Sequence, residues 1–142
     1  MSALGTRALK MKIGATEYTA QVSKAVITSG EADSDFVTFA DAAAGGAREY
    51  RLEFTGVQDL ATGTLWDQVF TLAGTSVACI FNPYGVTPAT ATQPFYTFNA
   101  TITEPDGDFI GGEADASTTA RMTFECSWVL SAKPVKVITG AF

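Results

Sequence analysis

The chain has 142 residues, 46% hydrophobic and only 17% charged, with fifteen acidic against nine basic side chains and a net charge of −6. This length and apolar content fit one domain with one core, and the acidic balance argues against stable nucleic-acid binding, which needs clustered Lys or Arg on the phosphates. The absence of histidine removes the commonest general base, the usual activator of Ser or Cys and the commonest zinc ligand, so no enzyme is expected.

Arg7, Lys10 and Lys12 lie near the N-terminus, but no long apolar run follows them. Neither a secretory signal nor a spanning helix is predicted, and the expectation is a chain that folds in the cytoplasm. Residues 9–27 read as two strands around a Gly14-Ala15-Thr16 turn, the second carrying Tyr18, Ala20, Val22 and Val26 at period two.

From Thr28 to Ala47 the sequence is rich in Gly, Ala, Ser and Asp, interrupted by the β-prone patch Phe36-Val37-Thr38-Phe39. A structureless excursion this long is improbable in a compact domain unless it has a function. Gly30, Gly45 and Gly46 allow bending, and the apolar patch is too hydrophobic for a free linker. The predicted role is an inter-subunit loop whose contacts come from Asp33, Asp35, Phe36, Phe39 and Asp41, the carboxylates facing basic groups such as Arg7, Lys10 or Lys133.

Tyr50, Leu52 and Phe54 alternate with Arg51, Glu53 and Thr55, the mark of a half-buried strand. Thr64 then precedes Leu65, Trp66, Val69, Phe70 and Ala73 at helical spacing, with Asp67 in the first turn and Gly74 as the stop. Trp66 and Phe70 are expected to pack on a sheet. Thr75 to Phe81 reads as a strand, and Pro83, Gly85, Pro88 and Pro94 keep the stretch 82–94 irregular.

Two long strands follow. In one, Tyr96, Phe98, Ala100 and Ile102 oppose Thr97, Asn99, Thr101 and Thr103; in the other, Phe124, Cys126, Trp128 and Leu130 oppose Thr123, Glu125, Ser127 and Val129. The predicted fold is mainly β, a β-sandwich or open barrel of six to seven strands with one flanking α-helix, and Trp66, Phe70 and Trp128 in the core.

No catalytic, cofactor or metal site is predicted. Cys79 and Cys126 lack a C-x-x-C spacing and read as buried free thiols. Glu104, Asp106, Asp108 and Asp115 have calcium-loop spacing, but Phe109 stands where the sharp turn needs Gly, so a plain turn is favoured. The pairs Gly45-Gly46 and Gly111-Gly112 lack the Lys-Ser/Thr of a phosphate loop.

The C-terminal segments Gly111-Gly112-Glu113-Ala114-Asp115-Ala116-Ser117-Thr118-Thr119, Phe124-Glu125-Cys126-Ser127-Trp128 and Lys133-Pro134-Val135 resemble the end of siphophage major tail tube proteins. The order of the remaining parts, including the small-residue loop ending Phe39-Ala40-Asp41-Ala42-Ala43-Ala44-Gly45-Gly46 and the Leu65-Trp66 helix, is also similar to that family, which is related to the tube of type VI secretion. The resemblance implies hexameric rings stacked into a tube that conducts DNA during genome delivery, in a virion tail assembled in the host cytoplasm. It further implies a tape-measure protein and tail-end proteins as partners, with transient DNA passage and no membrane insertion.

On that reading the last two long strands form a hairpin in the inner sheet, which makes Thr97, Asn99, Thr101, Thr103, Arg121, Thr123 and Glu125 the candidate lumen-facing residues. Two other readings stay open at this point. One is a small β-sandwich binding or decoration module of a virion; the other is a head-tail connector ring protein.

Overall fold

In the computed structural model, which describes residues 3–31, 36–45 and 48–142, two antiparallel sheets pack face to face as a β-sandwich with a flanking helix. The strands are β1 (Lys10–Ile13), β2 (Thr16–Glu17), β3 (Val22–Glu31), β4 (Arg48–Val57), β5 (Ser76–Asn82), β6 (Phe95–Thr101), β7 (Thr123–Val129) and β8 (Val135–Val137). The first sheet has five strands in the order β2-β1-β5-β6-β8, and the second has three in the order β3-β4-β7. The strands beyond the expected six or seven are short: β2 spans 2 residues and β8 spans 3, too few to leave a periodic signal.

Alternation builds the core from both sheets. Leu52 and Phe54 of β4 and Phe124, Cys126 and Trp128 of β7 point inward, against Met11, Ile13, Cys79, Phe98 and Ala100 of the larger sheet. Phe54 holds two edge-on aromatic contacts, to Trp128 at 4.8 Å and to Phe124 at 6.0 Å between ring centroids. Burying each large apolar side chain contributes about 1.5–3 kcal/mol. Gly56 is needed where β4 passes Phe124, because a Cβ there would lie 2.9 Å from the ring.

The helix α2 (Leu65–Leu72) starts as its sequence requires: Thr64 accepts a hydrogen bond from the Asp67 amide and its hydroxyl donates to the Asp59 carbonyl. Gly74 ends it with φ of +92°. Leu65, Trp66 and Val69 are the buried residues of α2.

Four expectations are corrected. The second strand of the opening hairpin is divided: β2 stays in the five-stranded sheet, a 3-10 turn over Thr19–Gln21 forms the corner, and Val22 and Val26 belong to β3 of the other sheet. The last two long strands are not a hairpin, because β6 pairs with β5 and β8 while β7 pairs with β4. Residues 28–31 continue β3, and a helix, α1 (Phe39–Ala43), replaces part of the β-prone patch, so the excursion is narrower than 28–47. Phe70, expected in the core, is 52% exposed.

Phe70 is exposed because of its place on the helix. At roughly 100° per residue it lies at the margin of the stripe formed by Leu65, Trp66 and Val69. There it stacks on Trp66 at 5.1 Å and meets Phe109 at 6.0 Å, leaving its other face to solvent.

Candidate functional site

The outer face of the three-stranded sheet is mainly polar, with Val26 and Val129 as its apolar interruptions. Lys24 of β3, Arg51, Glu53 and Thr55 of β4, and Thr123, Glu125 and Ser127 of β7 line a concavity of about 920 Å³, overhung by the loop bearing Glu104, Asp106 and Asp108. The Arg51 guanidinium donates to Ser127 Oγ at 3.3 Å and pairs with Glu49 at 3.3 Å. Both partners of that ion pair are partly exposed, so it orients the guanidinium and adds little stability. Acidic groups outnumber basic ones around this concavity.

The overhanging loop is pinned by side chains that bind its backbone. Gln58 accepts from the Gly111 amide at 2.7 Å and donates to the Gly111 carbonyl at 2.8 Å, and the Trp66 indole donates to the Phe109 carbonyl at 2.8 Å. Thr103 donates to the Ser127 carbonyl at 3.1 Å and its own carbonyl accepts from the Trp128 indole at 3.2 Å, so this segment covers part of the outer edge of β7.

The seven candidate lumen residues do not share a face. Thr103, Thr123 and Glu125 gather at the concavity. Thr97, Asn99 and Thr101 lie on β6 in the five-stranded sheet, with side chains directed away from the core formed by Phe98 and Ala100. Arg121 precedes β7 and donates to the Ala120 and Thr118 carbonyls at 2.8 and 3.3 Å. Period two identifies the two faces of a strand but carries no information about which sheet the strand joins.

The edges of the two sheets differ. The five-stranded sheet ends in β2 and β8, both very short, whereas β3 is a 10-residue strand that among the described residues pairs on one side only, with β4. Its pairing with β4 runs to Glu31↔Arg48, past Arg51↔Val129 where β7 stops, so the β3–β4 hairpin projects as an arm.

On this arm sits α1, closed by a capping box. The Asp41 amide donates to Thr38 Oγ1 at 3.1 Å and the Thr38 amide donates to Asp41 Oδ2 at 3.2 Å. Thr38-x-x-Asp41 was therefore a readable helix start inside a segment assigned no regular structure. No residue of α1 is buried; Phe39 is 97% exposed, Phe36 78% and Val37 62%. Asp33, Asp35 and Gly46 lie outside the described residues.

Beside the base of the arm, Leu4, Leu9, Ala25, Ile27, Tyr50, Phe81, Tyr96 and Pro134 form an apolar groove of about 460 Å³ with Lys133 among its lining residues. It takes consecutive residues of β3, Ala25 to Ser29, so it follows the open edge of that strand. The groove joins segments distant in sequence, which is why no local pattern announced it.

Neither a known protein family nor any curated protein matches this chain. Its chemistry is therefore read from the side chains alone. Cys79 and Cys126 are free and buried, and burial pushes both thiols up to about 12, so neither forms a nucleophilic thiolate near neutral pH. Among the described residues no group of three or more His, Cys, Asp or Glu side chains could hold a metal ion. No helix of the described residues is long and apolar enough to cross a membrane.

Proposed function

We propose that this chain is the structural subunit of a phage tail tube, whose copies close into hexameric rings and stack around a channel for DNA. The observation that carries the reading is the three-stranded sheet, which combines a polar outer face with the long one-sided edge of β3. Strand edges of this length are normally shortened, charged or covered, because they template pairing with other chains. Pairing in a closed ring removes the hazard and uses it.

On this proposal the outer face of the three-stranded sheet lines the channel, which retains Thr123 and Glu125 from the sequence reading and adds Thr55 and Ser127. Thr97, Asn99 and Thr101 belong to a different sheet and are assigned to the outside of the ring. Lys24 and Arg51 are the two cations on this wall and five carboxylates, Glu53, Glu104, Asp106, Asp108 and Glu125, surround them, an acidic excess that lets DNA slide, since each cation bound to a phosphate adds affinity that must be broken again.

Electron microscopy of the purified protein at high concentration tests the proposal. Stacked rings or tubes are expected, with the concave sheet face inward. Rings that never stack would favour a connector, and a protein that stays monomeric by light scattering would count against both assemblies.

A further inference from the structure

Between β6 and β7 the chain crosses from one sheet to the other, and residues 104–108 hang over the polar face with Glu104, Asp106 and Asp108 lining the concavity. All three are exposed, and among the described residues none of their carboxylates holds a hydrogen bond or an ion pair. The acidic stretch is therefore not held by its own charged side chains, and its position is set at its two ends.

The first end is Thr103, whose hydroxyl and carbonyl are both bonded to β7, at Ser127 and Trp128. At the second end the Phe109 ring lies 5.3 Å from that of Trp66, whose indole donates to the Phe109 carbonyl. Gly111 is met by a side chain as it would be by a neighbouring strand: Gln58 Oε1 accepts from its amide while Nε2 donates to its carbonyl. Nε2 also donates to the Thr123 carbonyl at 2.7 Å, and the Gln58 amide donates to the Met122 carbonyl at 2.9 Å. One residue at the end of β4 thus ties the loop to the start of β7.

We propose that Gln58 is a positioning residue that holds residues 104–108 as the inner rim of the channel and so sets its width. The inference rests on the tube reading above and deepens it, naming the element that comes nearest the channel axis and the side chain that keeps it there. Chain length bounds the effect. Six peptide steps join the anchors at Thr103 and Phe109, so the tip stands at most about 10 Å from them, and two opposite copies change the width by at most about 20 Å. A primary amide suits the task because it offers acceptor and donors together, whereas a carboxylate of the same shape only accepts.

Tubes assembled from the whole chain test the proposal. Asp106→Cys and Thr101→Cys place exposed thiols on the rim and on the outside of the ring, and both native thiols are buried. In tubes, a maleimide carried on a polymer wider than the lumen should modify Thr101→Cys and not Asp106→Cys, while N-ethylmaleimide should modify both. Gln58→Ala removes three side-chain hydrogen bonds, so exchange of the Gly111 amide should speed up by about 10-fold or more. Cryo-electron microscopy of tubes of this variant should show the rim density lost and the lumen correspondingly wider. Gln58→Glu should behave as Gln58→Ala does, although it preserves the shape of the side chain.

Modification of Asp106→Cys by the polymer in tubes would place the loop outside the channel, and exclusion of N-ethylmaleimide would place it in a contact between copies; either overturns the proposal. A native rim in either Gln58 variant would overturn the positioning role while leaving the tube reading intact. If the unsubstituted protein forms no tubes, the tube reading fails and takes the rim with it, while faster exchange at Gly111 would still assign the clamp on the loop to Gln58.

Discussion

Trp128 and Phe39 are both large aromatics on the same sheet system, one on β7 and fully buried, the other on the arm and 97% exposed. The Trp128 ring lies edge-on to Phe54 and its indole N–H reaches the Thr103 carbonyl, so both its apolar body and its polar tip are satisfied within the chain. Phe39 has a well-formed helix beneath it and no burial. The interior of the sandwich satisfies itself, whereas the arm is locally ordered by its capping box and buries none of its helix.

The comparison is broken most directly at the body. Trp128→Ala should lower stability by about 3–5 kcal/mol, the usual cost of truncating a buried aromatic, read as a fall in the denaturation midpoint. A change below about 0.5 kcal/mol, the range of surface substitutions, would mean that the ring is not a core member.

The buried thiols give the next largest effect, through pH. Both are raised by burial from an ordinary 9.0 to about 12. Between those values the unfolded chain releases protons that the folded chain keeps, so stability is retained below the unfolded value and falls as pH rises. The fall is about 1.4 kcal/mol per pH unit for each thiol, or about 3 kcal/mol for the pair between about pH 8 and about pH 10. Chemical denaturation at the two pH values should show it, and Cys79→Ala/Cys126→Ala should lose that part of the slope. An unchanged slope in the double variant would mean that the thiols are exposed.

A smaller effect is expected at the helix start. Thr64→Ala removes the acceptor for the Asp67 amide and the donor to the Asp59 carbonyl, which should cost about 1 kcal/mol. Thr64→Ser keeps both bonds and should recover most of it. Failure of Ser to recover stability would assign the role to the threonine methyl.

What could be read from the sequence divides along the same line as these effects. β4 and α2 were legible because their signals are local: Leu52 and Phe54 alternate with Arg51 and Glu53, and Thr64 and Gly74 bracket Leu65 to Leu72. The placement of β6 and β7 in different sheets was not, since strand pairing is decided by non-local contacts and the apolar-polar alternation of the two sequences does not distinguish them. The candidate channel residues were split for that reason. Phe70 was misjudged because its angle puts it at the margin of the α2 stripe, where Trp66 and Phe109 cover only part of the ring. The groove beside β3 was invisible, since Leu4, Ile27, Phe81 and Pro134 meet only in the folded chain.

The smallest expected effect on stability is the one that separates the arm from the body most sharply. Phe39→Ser leaves the capping box of Thr38 and Asp41 in place and removes a side chain that is 97% exposed. Truncation there creates no cavity and strips no buried polar group of its partner, so the denaturation midpoint should move by less than about 0.5 kcal/mol. Assembly should respond differently, because a side chain left in water by the monomer contributes its hydrophobic free energy only when a neighbour covers it. Covering a Phe is worth about 1.5–3 kcal/mol, which is roughly a 10- to 150-fold shift in an association constant. The concentration at which light scattering first reports rings or tubes should rise by a corresponding factor while the monomer remains as stable as before. A loss of stability comparable to that of Trp128→Ala would place Phe39 in the body of the fold, and an unchanged assembly concentration would leave its exposure without a role in self-association.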